Sequence, residues 1–142
     1  MNEIPTILIA DRNSHVRMFL MRELMAAGYR VQLAATAESV LKIVYAQRPI
    51  NLLILDPDLP GIEPVTLLEK LADRIPALPV VLHTHRSHDE ALFTTNNPWV
   101  TVIEKDGDSV VRIKEIVGKL LSSFGREGSE ARRFNYREGE LS

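Results

Sequence analysis

Cysteine is absent from this 142-residue sequence, which excludes disulfides and thiolate metal sites. The absence fits a reducing cytoplasm without requiring one. No apolar run approaches the roughly 20 residues that a bilayer-crossing helix needs. The opening Met-Asn-Glu-Ile-Pro lacks the basic start and apolar stretch of a signal peptide. Charge of one sign is also scarce: 17 Lys and Arg against 19 Asp and Glu leave a formal net charge of -2. That gives no basis for broad attraction to nucleic acid or a membrane surface. What is present is the balance of a globular chain, with 45% apolar and 25% charged residues. The length suits one domain with its own core. These features together lead us to expect a soluble, cytoplasmic domain.

Short apolar runs alternate with amphipathic stretches. Thr6 to Ala10 reads as a strand buried on both faces, the habit of parallel sheets. Asn13 or Ser14 can cap a helix that turns Val16, Phe19, Leu20 and Leu24 inward and ends at Gly28. Val31 to Ala34 is a second strand, and Thr36 caps a helix with Val40, Leu41 and Val44 inward. Leu52 to Leu55 is a third strand, and Pro64 sits where a third helix should begin. Val80 to His83 and Val100 to Glu104 are the fourth and fifth strands. Between them, Ser87 to Thr95 leaves room only for a short helix before Asn96-Asn97-Pro98 breaks it. Ser109 to Ser122 is a last helix whose apolar stripe is Val110, Val111, Ile113, Ile116, Val117, Leu120 and Leu121. Strict alternation predicts an α/β fold: a doubly wound, five-stranded parallel sheet with helices on both faces. We place this domain at residues 1–122. Residues 123–142 are polar and aperiodic and read as a mobile tail or linker. The arginines there are interleaved with glutamates, which favours a solvated tail over a nucleic-acid contact.

In such sheets, ligands bind at the carboxyl ends of the strands, near the point where strand order reverses. Asp11, Asp56, Thr84 and Lys105 each follow a strand, so all four should meet on one rim. At this point a resemblance becomes specific. Ala10-Asp11 through Arg17, Leu20, Leu24 and Gly28-Tyr29 is similar to the first strand and helix of receiver domains of bacterial two-component response regulators. Leu55-Asp56-Pro57-Asp58-Leu59-Pro60-Gly61 resembles their phosphoacceptor loop. Pro79 to Thr84 resembles their fourth strand, and Val102-Ile103-Glu104-Lys105 their fifth. The tail lies outside the resemblance.

The resemblance implies a flavodoxin-like (βα)5 receiver fold and a phosphorelay role rather than turnover of a separate substrate. Asp56 would be the phosphoacceptor, and its carboxylate would attack phosphorus to form an acyl phosphate. Asp11, Asp56 and the backbone carbonyl of Asp58 would hold Mg²⁺. Lys105 would pair with the phosphoryl group, and the Thr84 hydroxyl would bond to it during switching. The implied partners are a sensor histidine kinase or phosphotransfer protein, a second copy of the chain, and an output domain beyond residue 142. No membrane partner and no direct nucleic-acid contact by the domain are expected.

The sequence departs from that family pattern at the centre of the site. The second acidic position after the first strand is Arg12, and a guanidinium carries only donors, so it cannot ligate Mg²⁺. Weakened Mg²⁺ binding is therefore expected, with Arg12 either pairing with Asp56 or Asp58 or turning to solvent. His85 stands where a small residue usually follows Thr84. Val102 replaces an aromatic, Asp106 replaces the proline after the lysine, and Pro64 replaces a glycine. These departures keep a second reading open: a pseudo-receiver that works as a phosphorylation-independent interaction or dimerisation module. His83, His85 and His88 invite a metal site, but no carboxylate accompanies them at ligand spacing, so strand-end or loop histidines are expected. Asp56-Pro57-Asp58 is also similar to the aspartate pair of haloacid dehalogenase-type phosphatases. Those carry the pair after their first strand and need a longer chain. A dinucleotide site is excluded because no glycine-rich loop follows the first strand.

Overall fold

A computed structural model of the chain describes residues 3–46, 48–74, 76–85, 89–95 and 97–122. The tail expected at residues 123–142 and His88 lie outside the described residues. Strands β1 (Thr6–Ala10), β2 (Arg30–Ala34), β3 (Leu52–Leu55), β4 (Val80–Thr84) and β5 (Val100–Glu104) alternate with five helices. These are α1 (Ser14–Ala26), α2 (Ala37–Val44), α3 (Pro64–Leu71), α4 (Glu90–Thr94) and α5 (Ser109–Leu121). All strand pairs are parallel, in the order β2-β1-β3-β4-β5. This is the doubly wound sheet that the alternation predicts.

The all-apolar β3 is central because both of its faces must be covered. Alternate residues feed two separate cores. Leu53 and Leu55 join Leu8, Ala10, Val80 and Leu82 under Val40, Val44, Leu67, Leu68 and Phe93 of α2, α3 and α4. Leu52 and Ile54 join Ile7, Ile9, Val81 and Ile103 under Leu20, Leu24, Ile113 and Val117 of α1 and α5. A one-residue slip of β3 would exchange every side chain between these cores, so its register is strongly fixed. Each large aliphatic so buried contributes about 1.5–3 kcal/mol.

Local signals act as expected at most boundaries. Asn13 Oδ1 accepts from the N–H groups of His15 and Val16 at 2.8 and 3.2 Å, and so caps α1. Thr36 Oγ1 accepts from Ser39 N–H at 3.2 Å and caps α2. Gly28, at φ +103°, turns the chain out of α1, a conformation that a side chain disfavours. Pro64 opens α3.

Three residues differ from the expected inward set. Phe19, Val111 and Leu120 are exposed, because Leu20, Leu24, Ile113, Val117 and Leu121 already fill the narrower stripe that each helix turns to the sheet. The fourth helix covers Glu90–Thr94 within the expected Ser87 to Thr95, and Asn97 Nδ2 donates to the Phe93 carbonyl at its end. No helix among the described residues is long and apolar enough to cross a membrane.

Candidate functional site

The strand order reverses between β1 and β3, and the chain leaves both strands there as acids. Asp56 N–H donates to the Ala10 carbonyl at 2.8 Å, which carries the ladder one residue past β3. Asp11 N–H donates to the Ala34 carbonyl at 3.2 Å and does the same past β1. Lys105 N–H donates to the Thr84 carbonyl at 2.8 Å across the ends of β4 and β5. Sheet hydrogen bonding therefore sets the four strand-end residues on one rim.

The side chains of Asp11, Asp56 and Lys105 meet there, joined by Arg12. Asp11 and Asp56 are only 2% and 1% exposed, so each carboxylate needs compensation. Asp11 Oδ1 accepts from Asn13 N–H at 2.9 Å, and Oδ2 lies 2.9 Å from Lys105 Nζ. Asp56 Oδ1 accepts from Asp58 N–H at 2.9 Å. Asp56 Oδ2 accepts from the Arg12 backbone N–H at 3.3 Å and faces two cations, Arg12 Nε at 3.5 Å and Lys105 Nζ at 3.8 Å. Arg12 also reaches Asp58, with Nη2 3.8 Å from Oδ2. Three acids against two cations leave a formal charge of -1 at the rim. The Arg12 side chain is 54% exposed, so it leans over the site from solvent and combines the two placements expected of it. Thr84 is buried at the end of β4.

The histidines separate. His85 is exposed, whereas His83 lies inside β4 and is 5% exposed. It is the strand-end histidine expected, one residue from the end of β4, and it points to the α5 side, where its neighbour in space is Ser109. Among the described residues, no group of three or more His, Cys, Asp or Glu is arranged to hold a metal ion. His83 Nε2 lies 2.8 Å from Ser109 Oγ, while Nδ1 is buried without a protein partner among the described residues. Such an unmet acceptor costs about 1–3 kcal/mol.

Burial, then the nearby Lys105 ammonium, pulls the His83 pKa from 6.5 down to about 4. His85 adds to the lowering, and Asp56 and Asp106 oppose it. Because the folded value lies below the unfolded one, this group's stabilisation is complete above pH 6.5. It is lost as pH falls toward 4. The loss should amount to about 3 kcal/mol. Denaturant titrations between pH 7 and 4 should show the native protein weakening more steeply than His83→Leu, and parallel curves would contradict this assignment.

Sequence reasoning missed several members of the site. Arg17 Nη1 donates to the Asp11 carbonyl at 2.6 Å and pins the start of the acidic turn. Its signal was its place one turn into α1, within the stretch that resembles the family's first helix. The His83–Ser109 pair joins residues 26 apart and had no local signature. Asp106 was noted only as a lost proline. Its carboxylate binds Arg112 Nη2 at 2.8 Å, and that bond foremost holds its pKa below the usual value.

A parallel sheet with paired acids at its switch point and a lysine beside them defines a doubly wound α/β domain with its site on the carboxyl rim. Residues 7–116 match the family model of the response regulator receiver domain, and the chain belongs to that family. It is a receiver domain of the two-component response regulator type. It is 31% identical over 120 residues to the transcriptional regulatory protein AfsQ1 of Streptomyces coelicolor, covering 84% of this chain and 49% of that one. The chain thus spans about half the length of that relative. A receiver domain protein from Methanospirillum hungatei superposes with a TM-score of 0.70 at 29% identity, over 83% of this chain and 94% of that one. The response regulator TrrA of Thermotoga maritima, in complex with Mg²⁺-BeF, gives a TM-score of 0.71 at 27% identity, over 83% of this chain and 100% of that one. TrrA in complex with the histidine kinase ThkA gives 0.69 at 26% identity, over 83% and 99%.

Proposed function

We propose that Asp56 is the phosphate-accepting residue of this receiver domain, loaded by a sensor histidine kinase or a phosphotransfer protein. The observation that carries the reading is the Asp56 carboxylate, nearly fully buried at the switch point, with Oδ2 turned toward Lys105 and Arg12. A carboxylate oxygen there bonds to phosphorus as the phosphorus–nitrogen bond of a phosphohistidine breaks. The leaving imidazole keeps the electron pair and takes a proton. Lys105 moves from Asp11 toward the incoming phosphoryl oxygens, whose charge it offsets. The Thr84 hydroxyl bonds to the phosphoryl group and biases the outer face between two populations. Chemistry at this rim is confined to gain and loss of that one group, so the domain is a signalling module rather than an enzyme acting on other molecules.

Mg²⁺ fits this donor set in kind, since it is commonly bound through one or two carboxylates while retaining water. Asp11, Asp56 and the Asp58 backbone carbonyl would hold it. When bound, it would neutralise charge between the acceptor and the phosphoryl oxygens. Arg12 competes for the same oxygens and weakens that binding. The Arg12 contacts to Asp56 and Asp58 are also the observation that favours the second reading, a phosphorylation-independent interaction module.

The TrrA–ThkA complex supports a kinase partner. The greater length of AfsQ1 supports an output domain beyond residue 142, with residues 1–122 as the receiver unit and 123–142 as tail or linker. A homodimer and a cytoplasmic setting complete the proposal. Incubation with acetyl phosphate and Mg²⁺ tests it. The intact protein should gain one phosphoryl mass, and Asp56→Asn should gain none. No gain by the native protein would leave the interaction module as the standing account.

A further inference from the structure

Lys105 is carried by the loop between β5 and α5, residues 105–108, which includes Gly107 and no proline. Side chains hold this loop in shape. Asp108 N–H donates to Asp106 Oδ1 at 2.8 Å. Arg112 Nη2 donates both to Asp106 Oδ2 at 2.8 Å and to the Glu104 carbonyl at 3.0 Å. These bonds lie on the exposed side. On the inner side, Ser109 Oγ donates to the Asp106 carbonyl at 3.0 Å, and His83 Nε2 is 2.8 Å from the same Oγ.

Proton counting fixes the direction of that last bond. A serine hydroxyl has one proton, and the Asp106 carbonyl can only accept it. His83 must therefore carry its proton on Nε2 and donate to Ser109, which leaves Nδ1 as the unmet buried acceptor. A leucine in this strand position would fill similar space with no such penalty, as Leu82 and Val81 beside it do. The imidazole offers one thing that leucine cannot, the bond to Ser109.

We infer that His83 is a positioning residue: through Ser109 it fixes the β5–α5 loop and so aims the Lys105 ammonium at Asp11 and Asp56. His83 immediately precedes Thr84, so the same bond ties the end of β4 to the start of α5. Any shift of Thr84 toward the acceptor is then felt at the loop that carries the lysine. The consequence for phosphoryl transfer rests on Asp56 being the acceptor. The positioning of Lys105 does not.

The test uses four variants of the full chain: His83→Leu and Ser109→Ala, which remove the bond, and His83→Gln and Ser109→Thr, which keep a donor or a hydroxyl in place. The first readout is acetylation of Lys105 by acetic anhydride, followed by peptide mass spectrometry against the exposed Lys42 and Lys70. In the two bond-removing variants, Lys105 should label about fivefold faster, the factor set by one lost hydrogen bond. Lys42 and Lys70 should not change, and the two conservative variants should stay near native. The second readout is phosphoryl uptake from acetyl phosphate. Its maximal rate should fall in the bond-removing variants while the half-saturating donor concentration holds.

Unchanged Lys105 labelling in Ser109→Ala overturns the inference, as does His83→Gln behaving like His83→Leu. If His83→Leu loosens every lysine alike, Ser109→Ala, which keeps the imidazole packed, decides by the same criterion. Faster Lys105 labelling in the variants of a protein that takes up no phosphoryl group supports the positioning and defeats only the acceptor reading.

Discussion

Replacing Arg12 with aspartate should tighten Mg²⁺ binding by roughly 10- to 100-fold, the range over which groups around a metal commonly tune its affinity. The change acts twice. It removes a guanidinium whose Nε sits 3.5 Å from Asp56 Oδ2, and it supplies a carboxylate at a position next to the existing pair. Formally the rim goes from three acids and two cations to four acids and one, from -1 to -3. Arg12→Ala separates the two effects, because it removes the competitor without adding a ligand and should fall between native and Arg12→Asp. Titration calorimetry at fixed ionic strength measures all three. Equal affinities would show that the guanidinium does not contend for the metal's oxygens in solution, and that the acidic pair alone decides the affinity.

The second large effect should come from Lys105→Met. The ammonium is 2.9 Å from Asp11 Oδ2 and 3.8 Å from Asp56 Oδ2, and both carboxylates are almost fully buried. Methionine fills similar space and leaves them facing each other with the half-exposed Arg12 as the cation paired to Asp56 among the described residues. Removing one partner of a buried ion pair typically costs about 3–5 kcal/mol, and urea denaturation at pH 7 should show a loss of that size. Adding Asp11→Asn to Lys105→Met removes the charge that the lysine chiefly neutralised and should restore much of the stability. A loss below about 1 kcal/mol, the scale of an exposed pair, would mean that the rim carboxylates are better hydrated than their burial implies. Phosphoryl uptake should fall sharply in the single variant, because nothing else in the loop can offset the charge of the transferred group.

How much of this was legible in the sequence depended on distance along the chain. Leu52 to Leu55 could be read as a buried strand because four consecutive apolar residues fit a position covered on both faces, whereas its place at the centre of the sheet is set by pairings with distant strands. Asn13 and Thr36 were readable as caps because a cap acts within three residues. Asp11, Asp56, Thr84 and Lys105 could be gathered on one rim because each follows a strand, and parallel strands bring their carboxyl ends together. Phe19, Val111 and Leu120 were misread because periodicity gives an apolar arc but not its width. The width is set by how much helix surface the sheet can cover. The Lys105–Asp11 pairing, closer than Lys105–Asp56, and the His83–Ser109 bond depend on side chains from distant segments, so spacing could not show either. Arg12 was legible as a departure, yet its lean over Asp56 and Asp58 while half in solvent is set by contacts 44 and 46 residues along the chain.

The central claim is that Asp56, among all the acids of this chain, accepts the phosphoryl group. An acyl phosphate is reduced by borohydride to the alcohol, which turns a phosphorylated aspartate into homoserine while free carboxylates survive. Treating the protein with acetyl phosphate and Mg²⁺, reducing it, and sequencing its peptides by mass spectrometry reads the site directly. Homoserine at position 56, and at no other aspartate, is the predicted result. An unmodified Asp56, or homoserine at Asp11 or Asp58 in its place, would contradict the account.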